Sequence, residues 1–394
     1  MQKPTIMRQI LQTLVILLTL SISSLNAQTY NAYYNTVVSN VSSSNILTDL
    51  TAFENFGVKD VGSTALGNAQ NWIKTRYQNL GYTNIVEQPF SYGGNTTNNI
   101  IITKTGSVYP NTYLIIDAHY DTINGTGTND NGSGTVLIME LARLLKNVNT
   151  EYSIKFIHFS GEEDGLIGSN YYVNNTVIPD NLDISLVFNI DEVGGVNGLI
   201  NNTIVCENDQ DNTPSSNNAA SAASTTIMAN CFGFYSNLNT EISYAYSSDY
   251  VPFENNGEII TGLYEKNETP HAHTSSDTLA NMDVNYLFEV TKGALGTALE
   301  FAVALNTLDV TTFNSKSDIS FYPNPSTGKF NIKLKDSITE NLEIVVLDVL
   351  GKIVYKAKIN SQTETIDLSF LNSGIYLATL KNDKTRVTKK IVIQ

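Results

Sequence analysis

Between residues 60 and 305 the apolar positions follow two alternating regimes. Continuous β-type runs occur at "TYLIIDAHYD" (112–121), "YSIKFIHFSGEE" (152–163) and "ISLVFNIDEVG" (184–194), whereas around them apolar residues recur at helical spacing. Helices are predicted in "STALGNAQNWIKTRYQNLGY", stopping at Gly81, in "SGTVLIMELARLLKN" (133–147), from "DGLIGSNYYVNN", in "AASAASTTIMANCFG" and in "NMDVNYLFEVTKGALGTALEFAVAL" (281–305). "SYGGNTTNN" reads as a polar, turn-rich segment between the first helix and the first strand. Fully apolar strands alternating with helices predict an α/β domain with a largely parallel sheet covered on both faces. In such sheets ligands bind at the carboxyl ends of the strands, and each of these runs ends in acids or a histidine.

Around 306–316 the periodicity is lost and a linker is expected. From 317 to 394 short alternating strands with turns predict a small all-β sandwich. At the other end, Lys3 and Arg8 precede the apolar "ILQTLVILLTL", and Ala27 offers a small residue for cleavage. Residues 1–27 are therefore expected to be an export signal, leaving a domain over 28–305.

Charge separates the same two parts. Residues 1–316 hold 12 Lys/Arg against 30 Asp/Glu, and residues 317–394 hold 11 against 8. The acidic part has no basic patch or aromatic-spaced Arg cluster, so nucleic acid is not an expected partner. The two cysteines, Cys206 and Cys231, match no metal-binding spacing; an exported chain could bond them or bury them as thiols, and the sequence leaves both open.

Adjacent carboxylates at the mouth of a core strand, Glu162 and Glu163 in "GEEDGLIGS", need a compensating cation or a retained proton. Candidate ligands gather at the other strand ends and loops: His119 in "DAHYDT", Asp130 in "TNDNGSG", Asp191 in "FNIDEVG" and His273 in "HAHTSSDT". With Glu163 they make two imidazoles and three carboxylates, a donor set suited to zinc, and two ions sharing Asp130 would use all five. Only four histidines occur in the chain. His271 competes with His273 for the last position, and His158, inside an apolar strand, reads as a core residue.

The ordered motifs "AHYDT", "NDNGSG", "GEEDGLIGS", "NIDEVG", "SDYVPF" and "HTSSDT", spread over about 115–280, resemble those of the M28 zinc aminopeptidases. The resemblance implies an α/β/α sandwich around a mixed, mostly parallel sheet with two zinc ions, His119 and His273 as terminal ligands, and Asp130 as the bridge. Glu163 and Asp191 would complete the two sites, with Glu162 as general base and Asp121 as the acid behind the ligand imidazole. It also implies peptide substrates with a free N-terminus. Tyr250 stands where many relatives carry histidine, so that loop need not meet substrate in the same way. Tyr244 and Tyr246 precede it as candidate oxyanion donors, with plain packing as the alternative.

The C-terminal unit, through "YPNPSTGKFNI", "LDVLGKIVYK" and "IDLSFLNSGIYLATL", resembles the sorting domains of the type IX secretion system. That implies export across the inner and then the outer membrane, to the medium or the cell surface, with the secretion machinery as partner. A secreted, monomeric metallo-aminopeptidase is the expectation. A single-zinc glutaminyl cyclase-like enzyme and a non-catalytic adhesin on a peptidase fold are the alternatives. Arg76, Arg143 and Arg386 are the only arginines after residue 27, which disfavours a carboxylate clamp for C-terminal or dipeptide substrates.

Overall fold

The computed structural model describes residues 28–209, 213–245, 247–306, 319–334, 342–348, 352–381 and 386–394. The expected export signal (1–27) and nearly all of the expected linker lie outside these residues. The chain divides into two compact units at Leu305/Asn306.

The larger unit opens with three helices, α1 (Ala32–Val38), α2 (Ser43–Asn55) and α3 (Thr64–Asn79). Serine or asparagine starts each one: Asn31, Ser42 and Ser63 accept backbone N–H groups that would otherwise lack partners. Strands β1 (Ile85–Tyr92), β2 (Asn95–Lys104), β3 (Tyr109–His119), β4 (Tyr152–Phe159), β5 (Asp183–Ile190), β6 (Thr203–Asn208), β7 (Asn239–Tyr244) and β8 (Ile260–Glu265) build one sheet. Its order is β1-β2-β4-β3-β5-β8-β6-β7. The central β4, β3, β5 and β8 are parallel. β2 and β6 join them antiparallel, and β1 and β7 form the edges.

The central strands are apolar throughout because both faces are covered. On one side α4 (Gly132–Leu145), α6 (Asn218–Tyr235) and α7 (Val284–Phe301) join α1–α3, packing Phe53, Tyr77, Leu137, Phe232 and Leu287 onto Ile102, Ile116, Phe156 and Phe188. On the other, Tyr172 of α5 (Ile167–Tyr172), with Val173, Val177 and Phe253, covers Ile115, Ile157, Phe159 and Val187. Each fully buried Leu, Ile or Phe side chain contributes roughly 1.5–3 kcal/mol. Cys206 and Cys231 are buried, free thiols in this core.

One expectation is corrected. "SYGGNTTNN" is not a turn-rich connector: only Gly93 and Gly94 turn, both at positive φ, and Asn95–Asn99 already belong to β2, paired with β1. The polar residues of this strand find partners inside the fold. Asn99 donates to Gln88 Oε1 and to the Gly168 carbonyl, and the Thr97 hydroxyl bonds that of Ser160.

In the smaller unit the strands pair antiparallel. β9 (Ile319–Tyr322), β10 (Lys329–Leu334) and β13 (Thr363–Asp367) form one sheet. β12 (Ile353–Ile359), β11 (Leu342–Leu347), β14 (Gly374–Lys381) and β15 (Arg386–Ile393) form the other. Phe330, Ile332, Ile344, Val346, Ile366, Ala378 and Leu380 make their common core. Among the described residues of the chain, no helix is long and apolar enough to cross a membrane.

Candidate active site

His119 is the last residue of β3, and Asp191 directly follows β5 beside it. Glu162 and Glu163 follow β4, after a turn at Ser160–Gly161 in which Gly161 has φ +73°, a conformation other residues adopt only at a cost. Asp130 lies in the loop between β3 and α4, and His273 in the loop after β8. All of these sit at the carboxyl ends of the parallel strands. A cleft of about 460 Å³ lined by Tyr82, Lys104 and Lys146 lies at the opposite, amino-terminal end of β4, where Lys104 pairs with Ile154.

The loop carrying Asp130 is fixed from several directions. Asn131 caps α4 by accepting from the Gly134 N–H at 2.9 Å and donates to the Ile190 carbonyl at 2.8 Å. Gly134 is required here, since a Cβ would fall 2.5 Å from both Asn131 Oδ1 and the Ile190 oxygen. The Asp277 carboxylate accepts the backbone N–H groups of Asn129 (2.8 Å) and Asp130 (3.0 Å). The Asp130–Asn131 peptide bond is cis.

Held in this way, Asp130 turns one oxygen to each imidazole. Oδ1 is 3.3 Å from His119 Nε2 and Oδ2 is 3.0 Å from His273 Nε2. Asp191 Oδ1 lies 3.4 Å from His119 Nε2, and Glu163 Oε2 lies 2.7 Å from His273 Nε2. Two groups, His119 with Asp191 and His273 with Glu163, thus share one carboxylate. His119, Asp130 and Glu163 offer ligand atoms all within 4.8 Å of one another and span both. Glu162 Oε2 stands at 3.9 Å from His119 Nε2.

Asp121 supports both sides. Its backbone carbonyl accepts from His119 Nδ1 at 3.1 Å, while its carboxylate is 3.8 Å from that nitrogen and accepts the N–H groups of Glu162 and Glu163 at 3.3 Å each. His271 Nδ1 instead bonds Ser276 Oγ at 2.9 Å. His158 is fully buried against the Tyr77 hydroxyl, and burial lowers it to about 3. Tyr250 is buried, its hydroxyl bonded to Glu207, and Tyr244 is exposed; Tyr246 lies outside the described residues.

Electrostatics show a site short of positive charge. Burial lowers the His119 ring, but the charges of Asp191 and Glu162, with the close contacts of the Asp130 and Asp191 carboxylates, outweigh it and hold the imidazole well above its ordinary value. The Asp130 carboxylate, with Oδ2 3.0 Å from its Nε2, raises His273 likewise. Burial raises Asp130, yet the close approach of both imidazoles brings it below the usual carboxylate range. Burial, then repulsion from Asp130, pushes Glu163 up to about 10, and burial with repulsion from Asp130 and Asp191 does so for Glu192. Burial also takes Glu162 well above the carboxylate range. His119 Nε2, Asp130 Oδ2, Glu163 Oε1 and Asp191 Oδ1 are buried without hydrogen-bond partners. Converging partnerless donors of nitrogen and oxygen type fit divalent zinc, which would take the place of the protons drawn onto the imidazoles.

Several contributors escaped the sequence reading. Asp277 sits in the quoted "HTSSDT", but its grip on residues 129 and 130 crosses almost 150 positions. Ser248 donates to Asp191 Oδ2 at 2.7 Å, a role that the serine of "SDY" could have suggested. Asp117 in "DAHYDT" and Asp249 in "SDYVPF" are fully buried and raised well above the carboxylate range by burial.

The family pattern of Peptidase family M28 matches residues 99–298, and that of a secretion system C-terminal sorting domain matches residues 320–394. Aminopeptidase YwaD of Bacillus subtilis is 32% identical over 199 residues, covering 49% of this chain and 42% of that protein. A probable leucine aminopeptidase of Arthroderma otae is 29% identical over 298 residues, covering 68% and 75%. The chain therefore spans less than half of the first of these relatives and three quarters of the second. Among solved structures, the LapA aminopeptidase of Legionella pneumophila superposes with TM-score 0.60 at 21% identity, covering 72% of this chain and 79% of that one. A glutaminyl cyclase of Bacteroides thetaiotaomicron does so with TM-score 0.55 at 17% identity, covering 65% and 97%. At such identities the likeness concerns the fold alone.

Proposed function

The chain belongs to Peptidase family M28 and ends in a secretion system sorting domain, and from that premise we propose that it is an exported two-zinc aminopeptidase removing N-terminal residues from peptides. One observation carries the reading: Asp130 presents one oxygen at 3.3 Å to His119 and the other at 3.0 Å to His273, with Asp191 and Glu163 completing two donor groups. Zinc held by these residues supplies a Lewis acid and a water that is nucleophilic near neutral pH.

The remaining work falls to the chain's own side chains. Glu162, raised by burial and beside the ligand cluster, accepts a proton from the attacking water and passes it to the nitrogen of the leaving amine. Asp121 holds the His119 ring through its carbonyl and the backbone of the glutamate pair through its carboxylate. Asp277 keeps the Asp130 backbone in place. The carboxylates left over after metal binding suit the free ammonium group of a peptide N-terminus. A cyclase needs a single metal, and five donors in two groups sharing a bridge favour two. Intact Glu162 beside Glu163 disfavours a non-catalytic adhesin.

The test is metal content together with activity. Purified protein is expected to hold close to two zinc equivalents, to hydrolyse amino-acid anilides with a free amine but not their N-acetyl forms, and to lose this to a chelator. Activity that survives complete metal removal would refute the reading.

For the C-terminal unit the proposal is an address: recognition by the type IX secretion machinery, leading to the medium or the cell surface. Deleting residues 307–394 should leave a fragment that melts cooperatively and keeps its anilide turnover, while export from the native cell is lost. A fragment that is unfolded or inactive would show that the two units depend on each other.

A further inference from the structure

One carboxylate beside the ligand cluster has no part in holding metal. Glu192 follows Asp191 directly and has φ +42°, a left-handed backbone that a glutamate adopts at a cost. Its carbonyl accepts the Glu265 N–H at 2.9 Å, and its Oε2 accepts the Tyr264 hydroxyl at 3.1 Å. Both side chains are only half-buried, so the carboxylate remains within reach of a ligand. Burial and the nearby Asp130 and Asp191 disfavour its charge, an effect that a divalent ion on those two acids or a cation beside Glu192 would offset. Glu265 and Glu268 add negative potential around the same tyrosine. Among the described residues no lysine or arginine pairs with Glu192, Glu265 or Glu268. The neighbouring Lys266 is engaged with Glu241 at 2.7 Å.

An enzyme that cleaves the first peptide bond must hold that carbonyl at the ligand cluster. The α-carbon of the first residue is one bond away, so its side chain projects onto the adjoining walls. Resting on the aminopeptidase reading, we propose that Glu192, oriented by Tyr264, makes the enzyme prefer peptides whose first residue is lysine or arginine. The tyrosine hydroxyl occupies one oxygen of the carboxylate and leaves the other for an ammonium or guanidinium group. An apolar side chain in the same place would strip water from the carboxylate and give nothing back.

The experiment compares kcat/KM for lysyl, arginyl, methionyl and leucyl anilides on the full-length, zinc-loaded protein, methionine serving as the uncharged chain of similar length. Lysyl and arginyl substrates are expected to exceed methionyl by roughly tenfold or more, the scale of a hydrogen bond to a charged group. Glu192→Gln should cut that ratio about tenfold. Tyr264→Phe should reduce it less, mainly through KM, and it carries the test if the first variant fails to fold by circular dichroism. The preference should also weaken at high salt. A lysyl-to-methionyl ratio near one in the wild type, or unchanged in the folded Glu192→Gln or Tyr264→Phe protein, would overturn the assignment. Hydrolysis of none of the anilides would instead count against the aminopeptidase reading itself.

Discussion

Glu162→Gln should retain the full metal content and lose about 10²–10⁴-fold in turnover, the range of general acid–base help. Glutamine preserves the size of the side chain but cannot accept a proton from water. Because that transfer belongs to the transition state, KM should change little while kcat and kcat/KM fall together. Glu163→Gln should fail differently. It removes a charge from the group that Glu163 forms with His273 at 2.7 Å, so metal affinity drops and excess zinc restores part of the activity. The two variants, assayed in parallel for zinc and for anilide hydrolysis, separate the neighbours. An active Glu162→Gln enzyme, or one stripped of metal while Glu163→Gln keeps it, would show the roles to be reversed.

Asp130→Ala is expected to do more damage than loss of any single terminal ligand. Each imidazole faces one oxygen of this carboxylate, at 3.3 and 3.0 Å, and both donor groups lose a charged ligand at once. Zinc content should fall towards zero, with activity below detection, whereas His273→Ala, at the more exposed end, should keep part of its metal. The fold should persist in Asp130→Ala, because the Asp277 and Asn131 hydrogen bonds use the loop backbone and the Asn131 side chain and not the Asp130 side chain. Retention of two zinc equivalents in this variant would exclude a bridging role.

Much of this protein follows from local pattern. The apolar runs that become β3, β4 and β5, the helical spacing of α3, α4, α6 and α7, and the stop at Gly81 are properties of neighbouring residues, because period and backbone preference act over a few positions. The candidate donors were legible too, since each closes a strand or fills a Gly- or Ser-rich loop. What adjoins what was decided by packing. Asn95–Asn99 looks like loop by composition, yet pairing with β1 and partners as distant as Gly168 make it strand. His271 and His273 are alike in sequence, but the turn after β8, with His273 at φ +57°, directs only the latter to Asp130 and Glu163. Tyr250 goes into the core against Glu207, and Asp277 reaches back to residues 129 and 130. A buried polar group must find its partner wherever the chain brings one, and that partner sits far along the sequence, where no short-range pattern can name it.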